Sequence, residues 1–249
     1  IRIDTYNFGG AEGSNERPAA EYVAEHLSAS GVEVRLIESE PGRANLFGRI
    51  VGTDSSRPAL LVHCHLDVVP ATAADWQIHP LSGEVHDGHV WGRGAIDMKD
   101  MCAMVLAVVR DWHDQGRRPE RDIVLAFFAD EETGSKLGAH WIAQHHRELF
   151  DGCTEAIGEV GGFSYTVNED LRLYPIMTAE KGKAWMRLTA HGTASHGSMI
   201  TTDNAVLSLC EAVSRLGRHV FPRRPTESVE GFLAATAKAT GLDFSGPDV

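Results

Sequence analysis

Apolar positions recur over most of the chain with two periods, one typical of helices and one typical of strands. Helical spacing predicts helices over 18–30, 95–112 and 136–147. Alternating or continuous apolar runs predict strands over 32–37, 46–51, 59–65 and 122–129, and a short strand that ends at Glu159. The runs 59–65 and 122–129 are almost entirely apolar, which favours strands buried on both faces. Strands that alternate with helices predict an α/β fold, with helices on both faces of a sheet.

The pattern changes near Glu180. Residues 183–190 alternate like a strand, a loop rich in Gly, Ser and His follows, and amphipathic helical spacing runs over 203–216. Thr202 or Asp203 is expected to cap that helix. These elements predict the start of a second, α+β domain, and the sequence ends before such a domain would be finished. We therefore expect one domain over 1–179 and part of another over 180–249.

Charge and length narrow the function classes. The chain has 249 residues and a formal net charge of −12, which argues against nucleic acid or an anionic membrane as a partner because both need a basic surface. No apolar stretch approaches the length of a membrane span, and the N-terminus shows no export signal. The four cysteines are scattered without CxxC spacing, so we expect reduced thiols and a cytoplasmic protein.

Acidic and imidazole side chains lie at the ends of the predicted strands or just after glycine turns. They are His65, Asp97, Glu131, Glu132 and Glu159. Strands of one sheet that end at the same edge bring such groups together. One imidazole and several carboxylates at that edge are a suitable ligand set for a divalent metal. The sequence therefore predicts a metal site, and its carboxylate-rich composition favours a catalytic metal over a structural one.

Each of these residues also has a plainer interpretation. His65 alone is equally well explained as a core histidine, and Asp97 as the N-cap of the helix that follows it. Glu131 and Glu132 alone are compatible with a solvated acidic turn, and Glu159 alone with an ordinary surface residue. Adjacent carboxylates at the end of a buried strand repel each other, however, and this conflict is relieved if one is a metal ligand and the other a general base.

Two further residues carry weaker signals. Asp67 shares a strand face with His65 and is placed to orient its imidazole. His196 lies in a loop rich in Gly and Ser and is a candidate to bind a developing oxyanion, with an ordinary exposed histidine as the alternative. The sequence contains no nucleophile elbow and no phosphate-binding loop.

Four segments together resemble the dinuclear zinc peptidase and deacylase family of acetylornithine deacetylase, succinyl-diaminopimelate desuccinylase, aminoacylase and bacterial glutamate carboxypeptidase. They are LLVHCHLDVVPA (60–71), HPLSGEVHDGHVWGRGAIDMKDM (79–101), FFADEETGS (127–135) and HGTASHGS (191–198). The resemblance covers about residues 15–217. It implies a mixed sheet sandwiched by helices, as in zinc-exopeptidase catalytic domains, followed by part of an α+β lid and dimerisation domain.

The resemblance also implies a set of metal ligands. His65 and Glu159 would hold one zinc ion, Glu132 would hold a second, and Asp97 would bridge the pair. The peptide bond from Asp97 to Met98 is expected to be cis. Two Zn2+ ions per complete site are implied, with Co2+ or Mn2+ as alternatives.

Three residues receive catalytic roles from the same resemblance. Glu131 would be the general base, taking a proton from the bridging water and passing it to the leaving amine. Asp67 would support His65. His196, on the lid, would bind the oxyanion in the active site of the partner subunit of a homodimer.

The implied function is metal-dependent hydrolysis of an amide bond next to a free carboxylate, in an N-acyl amino acid or a small peptide. The alternatives are a dipeptidase of the same family and a catalytically inactive scaffold on the same fold. The last metal ligand of the family, a histidine near the C-terminus, is not found in these 249 residues. We therefore expect the chain to be a fragment that is inactive or holds only one metal well.

Overall fold

The computed structural model describes residues 1–9, 13–159, 164–244 and 246. The chain divides into two compact units, residues 1–162 and residues 163–249. The predicted domain boundary between residues 179 and 180 stays a prediction. Among the residues that the structure describes, no helix has both the length and the apolar character that a bilayer crossing requires.

The first unit is built around a five-stranded mixed sheet. Its strands are β1 (Val34–Glu38), β2 (Ala44–Ile50), β3 (Ala59–His65), β6 (Ile123–Phe128) and β7 (Cys153–Ile157), in the order β1-β2-β6-β3-β7. The first two pairings, β1 with β2 and β2 with β6, are antiparallel. The pairings of β3 with β6 and with β7 are parallel. Because β3 and β6 run in the same direction, His65 and the acidic run after Phe128 emerge at one edge of the sheet.

Helices cover both faces of this sheet, as predicted. On one face lie α1 (Arg17–Ala29) and α2 (Lys99–Asp114), whose Leu27 and Val109 belong to one apolar cluster with Leu125 of β6. On the other face lies α3 (Ala139–His145), whose Ile142 packs with Phe47 and Phe128. Each fully buried side chain of this size contributes about 1.5–3 kcal/mol relative to exposure. A hairpin of β4 (Glu84–His86) and β5 (His89–Trp91) completes the unit.

Two details of the predicted elements are corrected. All six residues of β6 are buried, but the middle of β3 is only half-buried because its neighbour β7 is the exposed edge strand. The helix predicted from residue 95 begins at Lys99. The preceding residues form a turn in which the Lys99 N–H donates to the Gly94 carbonyl oxygen at 2.9 Å.

The second unit contains β8 (Tyr165–Thr166), β9 (Arg172–Leu173), α4 (Ala205–Arg218) and α5 (Glu227–Thr240). The strand predicted over 183–190 is absent, and nearly all of these residues are exposed without a strand paired to them in the described part of the chain. The predicted caps Thr202 and Asp203 are also wrong. Asn204 caps α4, since its side-chain oxygen accepts the N–H groups of Val206 and Leu207.

Candidate metal centre

His65 is the last residue of β3 and is held by its backbone as well as by its side chain. Its N–H donates to the Met98 sulfur at 3.1 Å, and its carbonyl oxygen accepts from the Cys102 thiol at 3.5 Å. Both contacts come from the segment that follows Asp97, so the strand end and the start of α2 are fixed to each other. The side chain is 2% exposed, so the imidazole is almost entirely buried.

The two ring nitrogens of His65 face different partners. Nδ1 lies 2.9 Å from the backbone oxygen of Asp67. A carbonyl can only accept, so Nδ1 carries the proton of the neutral ring. Nε2 lies 3.0 Å from Asp97 Oδ1 and 2.9 Å from Glu159 Oε2. In the neutral ring its lone pair is directed at carboxylate oxygens, an arrangement that is repulsive unless a cation lies between them.

The ligand atoms of His65, Asp97 and Glu159 all lie within 4.8 Å of one another, a grouping suited to one metal ion. Asp97 is 62% exposed at its side chain and is joined to Met98 by a cis peptide bond, as the resemblance implied. It is not the N-cap of α2, because that position is taken by Met98. Gly94 lets the turn approach closely, since its φ is +86° and a Cβ there would lie 2.8 Å from Val68.

Glu159 reaches the site from the end of β7 through Gly158. A Cβ on Gly158 would lie 2.5 Å from the imidazole of His63, closer than real Cβ atoms approach. The glycine therefore allows the chain after β7 to pass beside His63 and place the Glu159 carboxylate against His65. Burial lowers the pKa of His63, opposed by the charge of Glu159.

Asp67 is fully buried and accepts hydrogen bonds from the turn after β6. Its Oδ1 accepts the Glu131 N–H at 3.0 Å, and its Oδ2 accepts the Glu132 N–H at 3.0 Å and the Asn7 side-chain amide at 2.7 Å. Burial opposes ionisation, but the hydrogen bonds from His65 and Asn7 outweigh it and lower the pKa of Asp67. The carboxylate itself lies 3.4 Å from His65 Nδ1, farther than the backbone oxygen of Asp67.

The charges around His65 favour a positive charge in this site. Burial of the imidazole opposes its protonation, but the hydrogen bond to Asp67 and the charges of Asp67, Glu159 and Glu131 raise its pKa to about 10. Burial, followed by the charge of Asp97, raises the pKa of Glu132 to about 7. Neighbouring carboxylate charges contribute to both shifts, because several carboxylates converge on one small volume.

The remaining predicted site residues are placed as follows. Glu131 Oε2 lies 3.8 Å from His65 Nε2, and its side chain is 38% exposed. Glu132 accepts the Val69 N–H at 3.2 Å and is not part of the three-residue group. His196 lies in the second unit, where its Nδ1 accepts from the Ser198 N–H at 3.3 Å and is 2.9 Å from the Ser198 hydroxyl.

Sequence reasoning missed the polar groups behind the site. The buried Asp130 carboxylate accepts hydrogen bonds from Asn7, Arg43 and Thr133, at 3.2, 3.0 and 2.6 Å. Asp130 has a φ of +63°, which is uncommon outside glycine. Asp130 lies just after the buried strand β6 and directly before Glu131, and this position could have identified it from the sequence. Asn7 and Arg43 lie in short polar segments with no periodicity, and nothing in the pattern marked them as buried.

Comparison with known proteins decides the family. Residues 61–241 match the sequence model of the peptidase family M20/M25/M40. The chain belongs to this family. The resemblance seen in the sequence is thereby confirmed, since the relatives of this chain include an aminoacylase and a succinyl-diaminopimelate desuccinylase.

Three relatives illustrate the likeness. Succinyl-diaminopimelate desuccinylase of Methylorubrum extorquens is 36% identical over 192 residues, covering 73% of this chain and 46% of its own. Aminoacylase-1 of Sus scrofa is 28% identical over 203 residues, covering 80% and 47%. The N-fatty-acyl-amino acid synthase/hydrolase PM20D1 of Xenopus tropicalis is 28% identical over 230 residues, covering 89% and 44%. The chain thus spans less than half the length of these M20/M25/M40 relatives.

The fold is shared with solved M20 structures. The metallo-carboxypeptidase Sso-CP2 from Sulfolobus solfataricus superposes with a TM-score of 0.54 at 22% identity, covering 64% of this chain and 35% of that one. Human carnosine dipeptidase 1 gives a TM-score of 0.51 at 22% identity, covering 57% and 32%. The predicted fold class is therefore confirmed.

Proposed function

We propose that the whole protein is a metal-dependent hydrolase that cleaves an amide bond next to a free carboxylate, in N-acyl amino acids or small peptides. One observation carries the proposal. His65 Nε2 lies 3.0 and 2.9 Å from the carboxylates of Asp97 and Glu159, while Nδ1 is committed to the Asp67 carbonyl. This geometry presents a lone pair and two anions to a shared point, which is the arrangement of a metal site with a fixed histidine tautomer.

The donor set fits zinc. Imidazole and carboxylate ligands suit Zn2+, and Co2+ or Mn2+ share this preference in part. We assign His65 and Glu159 to one ion, Glu132 to a second, and Asp97 to both. Burial, followed by the charge of Asp97, raises the pKa of Glu132 to about 7, which supports this assignment because a bound cation would stabilise the ionised carboxylate. We also expect a further metal ligand, a histidine supplied by another part of the whole protein.

Two bound zinc ions would polarise the scissile carbonyl and make a water molecule acidic enough to attack it. Glu131 is the proposed general base, since its carboxylate is partly exposed and lies 3.8 Å from His65 Nε2. It can take a proton from the attacking water and deliver it to the leaving amine. Asp67 fixes the backbone of this base through the Glu131 N–H at 3.0 Å. His196 would bind the oxyanion of the reacting carbonyl in the active site of the partner subunit.

The names of the relatives support the substrate class. Aminoacylase-1 and succinyl-diaminopimelate desuccinylase are named for removing acyl groups, and a probable carboxypeptidase S-like protein of Dictyostelium discoideum is 34% identical over 179 residues. A dipeptidase remains the alternative within the family. An inactive scaffold is disfavoured, since a scaffold has no need for a buried imidazole surrounded by carboxylates.

Two further assignments complete the proposal. Homodimerisation through residues 180–249 follows from the resemblance. A cytoplasmic location is supported by the four cysteines, all of which are free thiols in the structure.

The test is hydrolysis of N-acetyl amino acids by the zinc-loaded whole protein, beside the methyl esters of the same compounds. The free acids are expected to be cleaved and the esters to react poorly. Glu131→Gln should lower kcat by about 10²- to 10⁴-fold with zinc content unchanged, because it removes only the base. Glu155→Gln is the control, since Glu155 is an exposed partner of Arg121. Turnover that survives Glu131→Gln, or that resists removal of metal by a chelator, would contradict the proposal.

A further inference from the structure

The N-terminal segment Thr5–Asn7, here called the strap, lies beside the residues that follow β3. Tyr6 forms a parallel bridge with Val68. The Asn7 N–H donates to the Val68 carbonyl at 2.9 Å, and the Val68 N–H donates to the Thr5 carbonyl at 3.0 Å. The Thr5 hydroxyl donates to the Leu66 carbonyl at 2.7 Å. The backbone bonds to Val68 place the strap in fixed register beside Asp67.

The strap delivers the Asn7 side chain between two buried carboxylates. Asn7 is 2% exposed, and its amide nitrogen lies 2.7 Å from Asp67 Oδ2 and 3.2 Å from Asp130 Oδ1. Its amide oxygen accepts from the Gly9 N–H at 3.0 Å and the Ser14 hydroxyl at 3.3 Å. Both amide hydrogens are thus used by anions, and a flipped amide would set its oxygen against them.

Asp67 and Asp130 both hold the turn that carries the proposed site residues Glu131 and Glu132. Asp67 accepts the backbone N–H groups of Glu131 and Glu132, each at 3.0 Å. Asp130 is the residue before Glu131, and its Oδ2 accepts the Leu137 N–H at 3.0 Å. The position of the turn therefore depends on how these two carboxylates are held relative to each other.

Asp130 is bound by a cationic side chain as well as by neutral hydrogen-bond donors. Arg43 ion-pairs with Asp130 at 3.0 Å, and this pair is buried. Asn7 donates to both anions, so it adds a second link between the residues after β3 and the acidic turn after β6, beside the direct bonds from that turn to Asp67. A buried donor shared by two carboxylates is worth more than an exposed one, because losing it leaves both acceptors less well satisfied.

We propose that Asn7 is a positioning residue for the metal site. It acts through Asp67 and Asp130 to fix the turn of Glu131 and Glu132, and it touches neither the metal nor the substrate. The inference rests on the proposed function of the site. It adds Asn7 to the residues on which that site depends.

The test compares Asn7→Asp and Asn7→Ala with Thr5→Val in the whole protein. Asn7→Asp is nearly isosteric but replaces the donor with a third anion, while Asn7→Ala removes the donor. Thr5→Val is the matched control, because it removes one buried side-chain hydrogen bond of the same strap while the backbone bonds to Val68 that place Asn7 remain. The readouts are zinc affinity against a competing chelator, kcat and KM for an N-acetyl amino acid, and the thermal midpoint.

Both Asn7 variants are expected to lower zinc affinity by about 10- to 100-fold, as loss of a group that supports ligands does. They should lower kcat more than they change KM. Thr5→Val should lower the thermal midpoint while zinc affinity and kcat stay within about twofold of the parent, since the Thr5 hydroxyl binds neither Asp67 nor Asp130 through its side-chain bond to Leu66. If Asn7→Asp fails to fold, Asn7→Ala decides the matter.

Two other results have distinct meanings. If the parent binds zinc and turns over substrate, and the Asn7 variants behave like Thr5→Val, the positioning role is overturned and the proposed function stands. If the parent protein binds no zinc and hydrolyses no N-acetyl amino acid, the proposed function fails and the inference fails with it.

Discussion

At the residue scale, buried charge is concentrated behind the site in Glu16, Arg43 and Asp130. The Arg43 guanidinium lies 2.9 Å from Glu16 Oε1 and 3.0 Å from Asp130 Oδ1, and the side chains of Glu16 and Arg43 are fully buried. Taking charges out of water is costly even when they are paired. Burial therefore raises the pKa of Glu16 to about 7, although Arg43 opposes the shift.

This shift predicts a pH dependence of stability. Because the pKa of Glu16 is higher in the folded state than its ordinary value of 4.5, the folded protein binds this proton more tightly than the unfolded chain does. The contribution of Glu16 to the free energy of unfolding should therefore fall as pH rises from about 4.5 to about 7, and then level off. A shift of this size corresponds to about 3 kcal/mol.

The measurement is urea unfolding of the parent and of Glu16→Gln from pH 4.5 to pH 8. The parent should lose stability relative to Glu16→Gln from about pH 4.5 to about pH 7 and change little beyond, since glutamine does not titrate. Glu21→Gln is the control, because Glu21 is an exposed partner of Arg17. A constant difference between the parent and Glu16→Gln at all pH values would show that Glu16 does not titrate between these limits.

At the element scale, the exit from β7 determines where Glu159 lies. Gly158 passes so close to His63 that a Cβ would be 2.5 Å from the imidazole. Gly158→Ala is therefore expected to displace either the imidazole or the chain that carries Glu159. Zinc affinity, measured by chelator competition, should fall by about tenfold because one ligand is moved.

The double variant Gly158→Ala/His63→Ala separates these effects. Removing the imidazole opens the space that the new methyl group needs, so the double variant should recover most of the zinc affinity lost by Gly158→Ala. The single variant His63→Ala supplies the fourth corner of the cycle. Additive losses in zinc affinity would mean that the contact between Gly158 and His63 does not set the position of Glu159.

The elements also show how far sequence reasoning reaches. The strand over 59–65 was predicted with its observed bounds, because a continuous apolar run between turns is a strong local signal. Parallel strands end at one edge, and this rule brought His65 near Glu131. The start of α2 was missed, because residues before Lys99 have helical composition but are held in the turn that presents Asp97.

The interior polar contacts were beyond prediction for a different reason. Asn7 lies 60 positions from Asp67 and 123 positions from Asp130 along the chain. Such contacts depend on the register of the strap beside Val68, which no local pattern encodes. The strand predicted over 183–190 failed for a related reason, since alternation alone does not supply a partner strand.

At the scale of the whole molecule, the two units differ in how much they bury. The first unit contains two apolar clusters, one on each face of its sheet. No residue of the second unit is buried among those described, 164–244 and 246. The proposed metal ligands all belong to the first unit, and the pairing of β3 with β6 and β7 positions three of the groups involved.

The formal net charge of −12 is compatible with a site that binds cations. The carboxylates around His65 contribute to this charge and raise the pKa of its imidazole to about 10. A bound divalent ion would relieve the same repulsion that favours the proton. We therefore infer that the His65 cluster holds a metal ion.

Elemental analysis of the dialysed protein tests this claim most directly, with zinc per chain measured for the parent, His65→Ala and the control His79→Ala. His79 lies outside the cluster, so its loss should leave zinc content unchanged. The parent is expected to retain zinc, up to two ions per chain in the whole protein, and His65→Ala should lose at least one while staying folded. A folded parent without bound zinc, or equal zinc in the parent and His65→Ala, would contradict the account.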